Sequence, residues 1–167
     1  MLNVEKNYDF LKRFREIHKV GRRTVFRTAG SDEVMLDETW NIYLADADSI
    51  AERRAVDDMQ DYLNVSLGIS CRIVRELTAK CIAFVNTEAK IKSGAYELEI
   101  TPEKITVYGD DLKGVLRGGI ALEDEMNLAE GPYLKIRKQR YEPLLKMRII
   151  HSGCGIDEFP DWQLNAI

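Results

Sequence analysis

Proline, histidine and cysteine are all scarce in this 167-residue chain, with four, two and three copies. The three cysteines, Cys71, Cys81 and Cys154, are odd in number and have no CxxC spacing. That excludes a disulfide framework and a cysteine zinc site, and it reads as reduced thiols in a cytoplasmic protein. Neither histidine, His18 or His151, stands in an HExxH pattern. Glycine-rich phosphate loops of the GxGxxG or GxxxxGK[ST] kind are missing, and Gly114, Gly118 and Gly119 fall inside a helical pattern. No serine sits in a GxSxG elbow. Asn64-Val65-Ser66 has the letters of a glycosylation acceptor but lies in a helical pattern. No apolar run reaches the roughly 18–20 residues that span a bilayer, and Met1 to Lys6 lacks the apolar stretch of a secretory signal. No cofactor, metal, membrane or nucleic-acid partner is expected.

What is present is the composition of a globular domain: 45% apolar residues, 31% charged residues and a net charge of −4 from 28 acids and 24 bases. The charge is uneven. Residues 1–27 hold eight bases and three acids, so the remaining 140 hold 16 bases and 25 acids, a balance of +5 against −9. The basic part opens with an amphipathic pattern over 4–19, with Val4, Tyr8, Leu11 and Phe14 on one half of the wheel and Lys12, Glu16 and Lys19 opposite. Its surroundings are either an anionic membrane surface or, by the preferred reading, the acidic body of the same chain.

Further along, Gly30 to Glu33 reads as a turn and Asn41–Leu44 as a short buried strand. Asp48 or Ser49 can cap a helix over 49–67 whose inner stripe is Ala55, Val56, Met59, Tyr62, Leu63 and Leu67. Strands follow at 71–74, 81–85 and 96–101. In the last of these Tyr96, Leu98 and Ile100 alternate with Glu97, Glu99 and Thr101, and Pro102-Glu103 turns it into a hairpin with 105–108. Asp110 or Asp111 caps a helix over 111–128 with Leu112, Val115, Leu116, Gly119, Ile120, Leu122 and Met126 on its apolar face. Gly119 is the expected point of closest approach between this helix and the sheet. An edge strand at 134–137, a strand at 145–150 and the opening of a helix at 157–167 complete the pattern. The result is an α/β (α+β) fold with a mixed sheet.

Chemistry is hard to find in these residues. Glycoside hydrolysis needs two carboxylates across the sugar, but Glu123-Asp124-Glu125 and Asp110-Asp111 are sequence neighbours that point apart, so they read as helix caps and solvated ends. Glu123 differs, because it projects into the apolar face of its helix. A buried carboxylate needs a basic partner, either Arg148 or Arg140, or a neighbouring domain. His151, Cys154 and Asp157 flank Gly153 and Gly155 at a spacing that could suit a metal, but three mixed ligands on a glycine-flexible loop are a weak signal, and no metal is expected there.

Taken in order, Gly94 to Ile100, Lys104 to Gly109 and Asp111 to Gly118 resemble the N-terminal accessory domain of bacterial glycoside hydrolases. That domain precedes the barrel in family 20 β-N-acetylhexosaminidases and family 67 α-glucuronidases, and the likeness covers roughly residues 39–150. Two positions depart from the pattern: Ile149 follows Arg148 where family 20 has glycine, and Ala121 to Met126 replaces a T-L-x-Q-L segment. The resemblance implies a zincin-like sheet with helices mainly on one face and without the metal motif, itself non-catalytic. It implies 39–142 as accessory domain and 143–167 as the start of a catalytic barrel, so that the chain is expected to be a piece of a longer protein; residues 1–38, the basic helix and connector, have no clear counterpart in it.

The same resemblance implies no catalytic residue here, Arg148 as the residue that binds substrate sugar hydroxyls, and Glu123 and His151 at the interface with the barrel. Partners implied are that barrel and, through it, a carbohydrate. A dimer through an exposed C-terminal segment is a further expectation. The alternative is a stand-alone binding or protein-interaction module that uses the basic helix 1–20.

Overall fold

The computed structural model describes His18, residues 26–87 and residues 92–145. By their contacts the residues form two compact units, Val20–Leu144 and Met1–Lys19 with Leu145–Ile167. The helix expected at 4–19, the strand at 145–150 from Lys146 on, the helix at 157–167, and Arg148, His151, Cys154 and Asp157 lie outside the described residues.

The first unit carries eight strands and two helices among its described residues: β1 (Glu33–Met35), β2 (Asn41–Tyr43), α1 (Ile50–Leu67), β3 (Arg72–Val74), β4 (Cys81–Asn86), β5 (Tyr96–Ile100), β6 (Lys104–Gly109), α2 (Leu112–Leu128), β7 (Tyr133–Lys135) and β8 (Arg137–Tyr141). Six strands form a sheet in the order β3-β2-β4-β6-β5-β8. β3, β2, β4 and β6 run parallel, and β5 is antiparallel to both β6 and β8. Period-2 alternation turns Ile42, Ile82, Phe84, Leu98, Ile100, Ile105 and Val107 to one face, where they form a single core with residues of α1 and α2. The mixed sheet with helices on one face is thus as the sequence suggests.

Local signals explain the helices. Ser49 caps α1, its Oγ accepting from the Glu52 N–H at 3.3 Å. Gly68, at φ 69°, ends it by donating to the Asn64 carbonyl while Ile69 N–H reaches Leu63, a pairing that needs the left-handed backbone glycine adopts cheaply. Ala55, Val56, Met59, Tyr62 and Leu63 are buried at the spacing the sequence shows, and Leu67 is half-buried. Full burial of Val56, Met59 and Leu63 is worth about 1.5–3 kcal/mol each.

Three features differ from the sequence reading. β1 and β7 pair antiparallel in a separate two-stranded ribbon, Glu33 opposite Lys135 and Met35 opposite Tyr133, where only a turn was expected near residue 33. The strand expected at 134–137 breaks at Ile136, whose N–H donates to the Asp32 carbonyl, and β8 then starts afresh and closes the edge of the main sheet. β8 has almost no apolar residue to announce it; cross-strand charge holds it, with Lys138 Nζ 3.4 Å from Glu97 and 3.3 Å from Glu99 on β5.

The third difference is the face that α2 gives to the sheet. Leu112 and Ile120 are 43% and 49% exposed, and the buried positions are Gly114, Val115, Gly118, Gly119, Leu122, Glu123 and Met126. Closest approach is not at Gly119, where an added Cβ would lie 3.4 Å from Phe84, an ordinary contact. It is at Gly114, where a Cβ would stand 2.1 Å from the Ala95 carbonyl oxygen, and at Gly118, 2.2 Å from Val107 Cγ1. Gly114→Ala is therefore expected to destabilise the unit by about 3 kcal/mol, the upper end of overpacking costs, because backbone cannot step aside. Gly119→Ala should change stability by less than about 1 kcal/mol, gained propensity offsetting the contact. Urea midpoints of the two variants test this ordering.

Candidate functional site

Three polar groupings stand out in the first unit. One surrounds the corner between β6 and α2. Asp111 caps α2 through Oδ1, accepting from Gly114 N–H at 2.8 Å, and the same oxygen accepts from Gly94 N–H at 3.0 Å. Its neighbour Asp110, 4% exposed, receives a bidentate guanidinium fork from Arg140 at 3.0 and 2.6 Å, and a backbone N–H from Lys92 at 3.2 Å. The Arg140 fork holds the Asp110 carboxyl below the usual carboxylate range. Glu142 completes the network, accepting from Arg140 Nε and Lys92 Nζ, both at 3.0 Å. Sequence reading offered Arg140 as a partner for Glu123; the structure commits it to Asp110 instead. Arg140 sits on β8 opposite Glu97, which brings it beside Asp110 at the end of β6.

A second grouping lines an open pocket of about 500 Å³ between the end of α2 and the β1–β7 ribbon. Arg27 lies 3.9 Å over the Tyr133 ring and donates to both oxygens of Glu33 at 2.7 and 2.9 Å, bringing that carboxyl down to about 2. On the other side Arg137 forks onto Glu125 at 2.8 and 2.6 Å. Each guanidinium is thus matched by a carboxylate.

The third is the acidic face of the helix pair. Glu123 is 7% exposed, and its Oε1 is sealed from solvent with no hydrogen-bond partner. A carboxylate oxygen of Glu123 lies within 4.8 Å of one of Asp58 on α1. Burial, and then the negative charge of Asp58, Asp124 and Asp61, pushes the Glu123 carboxyl up to about 8. Beside it the buried Tyr62 hydroxyl meets the Glu123 carbonyl oxygen at 3.3 Å and Asn127 Oδ1 at 2.9 Å, tying α1 to α2. Sequence reading picked out Glu123 but missed its juxtaposition with Asp58. Asp57, Asp58 and Asp61 lie outside the inner stripe of α1, and the packing of α1 on α2 brings Asp58 across to Glu123. The usable signal was Glu123 itself, an acid on an apolar stripe. A raised-pKa acid beside a second carboxylate has the parts list of a glycosidase, yet the sealed Oε1 leaves no path to a glycosidic oxygen.

Of the other sequence-stated positions, Arg148 and His151 lie outside the described residues. Cys71 is buried, which pushes its thiol up to about 11 and leaves it inert; Cys81 is buried as well. Among the described residues, no helix is long and apolar enough to cross a membrane.

No protein-family model matches the chain, and no curated protein does. Solved structures do. A family 20 β-N-acetylhexosaminidase from Streptomyces coelicolor A3(2) superposes with a TM-score of 0.60 at 18% identity, over 71% of this chain and 25% of that one. A mutant β-hexosaminidase from Streptomyces plicatus, in complex with its product GlcNAc, gives 0.56 at 16% identity over the same shares. At such identity the likeness is one of fold. The chain spans about a quarter of the length of these enzymes.

Two outcomes are expected from the charges. Arg140→Ala should cost about 2–4 kcal/mol at pH 7, somewhat less than the roughly 3–5 kcal/mol of a fully buried pair because the arginine is one-third exposed. Asp110 has its pKa depressed on folding, so the stability it contributes is present above the unfolded carboxyl value of about 3.9 and is lost as pH falls through the folded value. The gap between variant and parent should therefore close in acid, as read from urea midpoints at pH 7 and pH 3. Glu123 behaves oppositely. Between an unfolded value of about 4.3 and a folded value of about 8, the native state holds the extra proton, so stability falls as pH rises across that window. Glu123→Gln should flatten this slope and be the more stable protein by about 1–3 kcal/mol at pH 8.5.

Proposed function

We propose that this chain is the non-catalytic N-terminal domain of a larger glycoside hydrolase, packing beside and supporting a catalytic barrel that begins after Pro143. The observation that carries the reading is the fold likeness: the described unit superposes on family 20 hexosaminidases while covering only a quarter of their length. The form of α2 supports it. Besides the glycine-rich side turned to the sheet, α2 has a second apolar stripe made of Leu112, half-buried Leu116 and Ile120. On a 3.6-residue wheel Glu123 falls within that stripe. The sheet and α1 cover much of the helix, and the exposed Leu112 and Ile120 are the apolar positions left for a further neighbour.

In this reading Glu123 and His151 face the barrel and Arg148 meets sugar hydroxyls at its first strand, a task suited to the rigid donor fork of a guanidinium. The role of the domain is mechanical: it covers apolar barrel surface and contributes no acid or nucleophile.

The test compares this 167-residue chain with a longer protein containing the barrel, on aryl N-acetylglucosaminide and aryl glucuronide. The short chain should be inactive and the long one active, with Arg148→Ala lowering turnover in the long protein while leaving this domain folded. In the long protein, Ile120→Lys should lower the thermal midpoint by several degrees, since a charge under the domain contact is costly. In the short chain the same substitution, at a half-exposed position, should change it little. Comparable turnover by the short chain would overturn the reading.

A further inference from the structure

We propose that the pocket between the end of α2 and the β1–β7 ribbon binds a small organic carboxylate, one negative charge carried on an apolar ring or chain. The proposal is independent of the accessory-domain reading and uses residues of the first unit alone. At about 500 Å³ the pocket falls in the roughly 300–1,000 Å³ range of small-molecule sites.

Charge selects an anion. Arg27, Lys135 and Arg137 line the pocket with Glu33 and Glu125, three cations against two anions, in a chain whose net charge is −4. Both arginines are forked onto a glutamate. Lys135 differs: its backbone N–H donates to Glu125 Oε1 at 2.8 Å, but its ammonium has no hydrogen bond or ion pair among the described residues. One negative charge balances such a wall. The C-terminal end of α2, at Leu128 and Ala129, adds a partial negative charge there, which disfavours a dianion.

The hydrogen-bond count points the same way. Arg27 commits both Nη1 hydrogens and one on Nη2 to Glu33 and the Thr28 carbonyl, which leaves Nε–H and a second Nη2–H. Arg137 has one Nη2–H left after Glu125, the Tyr141 hydroxyl and the Lys135 carbonyl. Gln139 accepts from the Tyr141 hydroxyl through Oε1, so its amide nitrogen keeps both hydrogens. A wall with donors to spare suits an acceptor, and an ionised one most, because charge-assisted hydrogen bonds are the stronger kind. The apolar body is argued from Leu128, 86% exposed beside a concave surface, with Ala129 next to it. Tyr133 is fixed before binding: Arg27 lies over its ring, and its hydroxyl donates to the Arg27 carbonyl at 2.6 Å.

The probe is 3-phenylpropionate, with its amide as the uncharged control. Titrated into the isotope-labelled 167-residue chain at pH 7, the acid should shift the amide resonances of Leu128, Ala129, Lys135 and Gln139 saturably, with a dissociation constant of roughly 10⁻³ M. The amide, and glucuronate, whose body is clad in hydroxyls, should each bind at least fivefold more weakly. Lys135→Met keeps an apolar stem and removes the charge; it should weaken the acid at least fivefold and leave the amide unchanged. Leu128→Glu sets a further negative charge on the wall and should abolish saturation. Both positions are exposed, so both variants are expected to fold, which circular dichroism checks. Lys113→Met, the same loss of charge at the other end of α2, should leave binding as it is. Absence of a saturable shift, an amide that binds as tightly as the acid, or full binding by Lys135→Met overturns the proposal. Glucuronate binding as tightly as 3-phenylpropionate overturns the apolar body.

Discussion

The corner between β6 and α2 is the constraint on which the rest of this fold depends. Within six residues the chain leaves an inner strand of the sheet at Gly109, offers Asp110 to an arginine on the edge strand, caps a helix with Asp111 and lays Gly114 against the Ala95 carbonyl. A Cβ at Gly109 would stand 2.3 Å from the Val115 nitrogen, so both arms of the turn are in backbone contact. Because α2 has no side chains at Gly114 and Gly118, it lies flat on β5 and β6, and its larger residues are free to pack on α1 and Phe84. The depth of the core follows from what is missing on one side of one helix.

Charge then does what apolar contact cannot. β8 is Arg-Lys-Gln-Arg-Tyr, a segment with no reason of its own to be a strand. It closes the sheet because Glu97, Glu99 and Asp110 on its neighbours supply anions at the register its cations need, and because Tyr141 stacks on Tyr96 with ring centres 5.0 Å apart. Exposed pairs of this sort add little each; the buried carboxylate of Asp110 is the member that makes losing its partner expensive. The acidic face of the helix pair is the reverse case. There like charges have been brought together, and Glu123 carries the cost in a raised pKa and an orphaned oxygen.

How much was legible beforehand depends on the kind of signal. Both helices, their caps at Ser49 and Asp111, the β5–β6 hairpin and the strands at 41 and 81 follow from periodicity and from turn and cap residues, which act within a few positions of one another. So does the suspicion attached to Glu123, since an acid on an apolar stripe is a local anomaly. The resemblance to glycoside hydrolase accessory domains rests on the order of those same local patterns, and the fold shared with family 20 hexosaminidases agrees with it.

What only the tertiary structure decided are the relations between distant segments. Pairing of β1 with β7 joins residues about a hundred positions apart, and nothing in the sequence names Glu33–Met35 as the partner of the strand expected at 134–137. Arg140 belongs to Asp110 and not to Glu123 because the register of β8 on β5, rather than any property of the arginine, fixes where its side chain arrives. The nearest contact of α2 moved from Gly119 to Gly114 and Gly118 because helix rotation is set by the surface beneath the helix, which the helix's own sequence does not contain. Asp58 meets Glu123 for the same reason. Sequence by itself determined the elements and the anomaly; the packing of one helix on another decided which charge the anomaly would face.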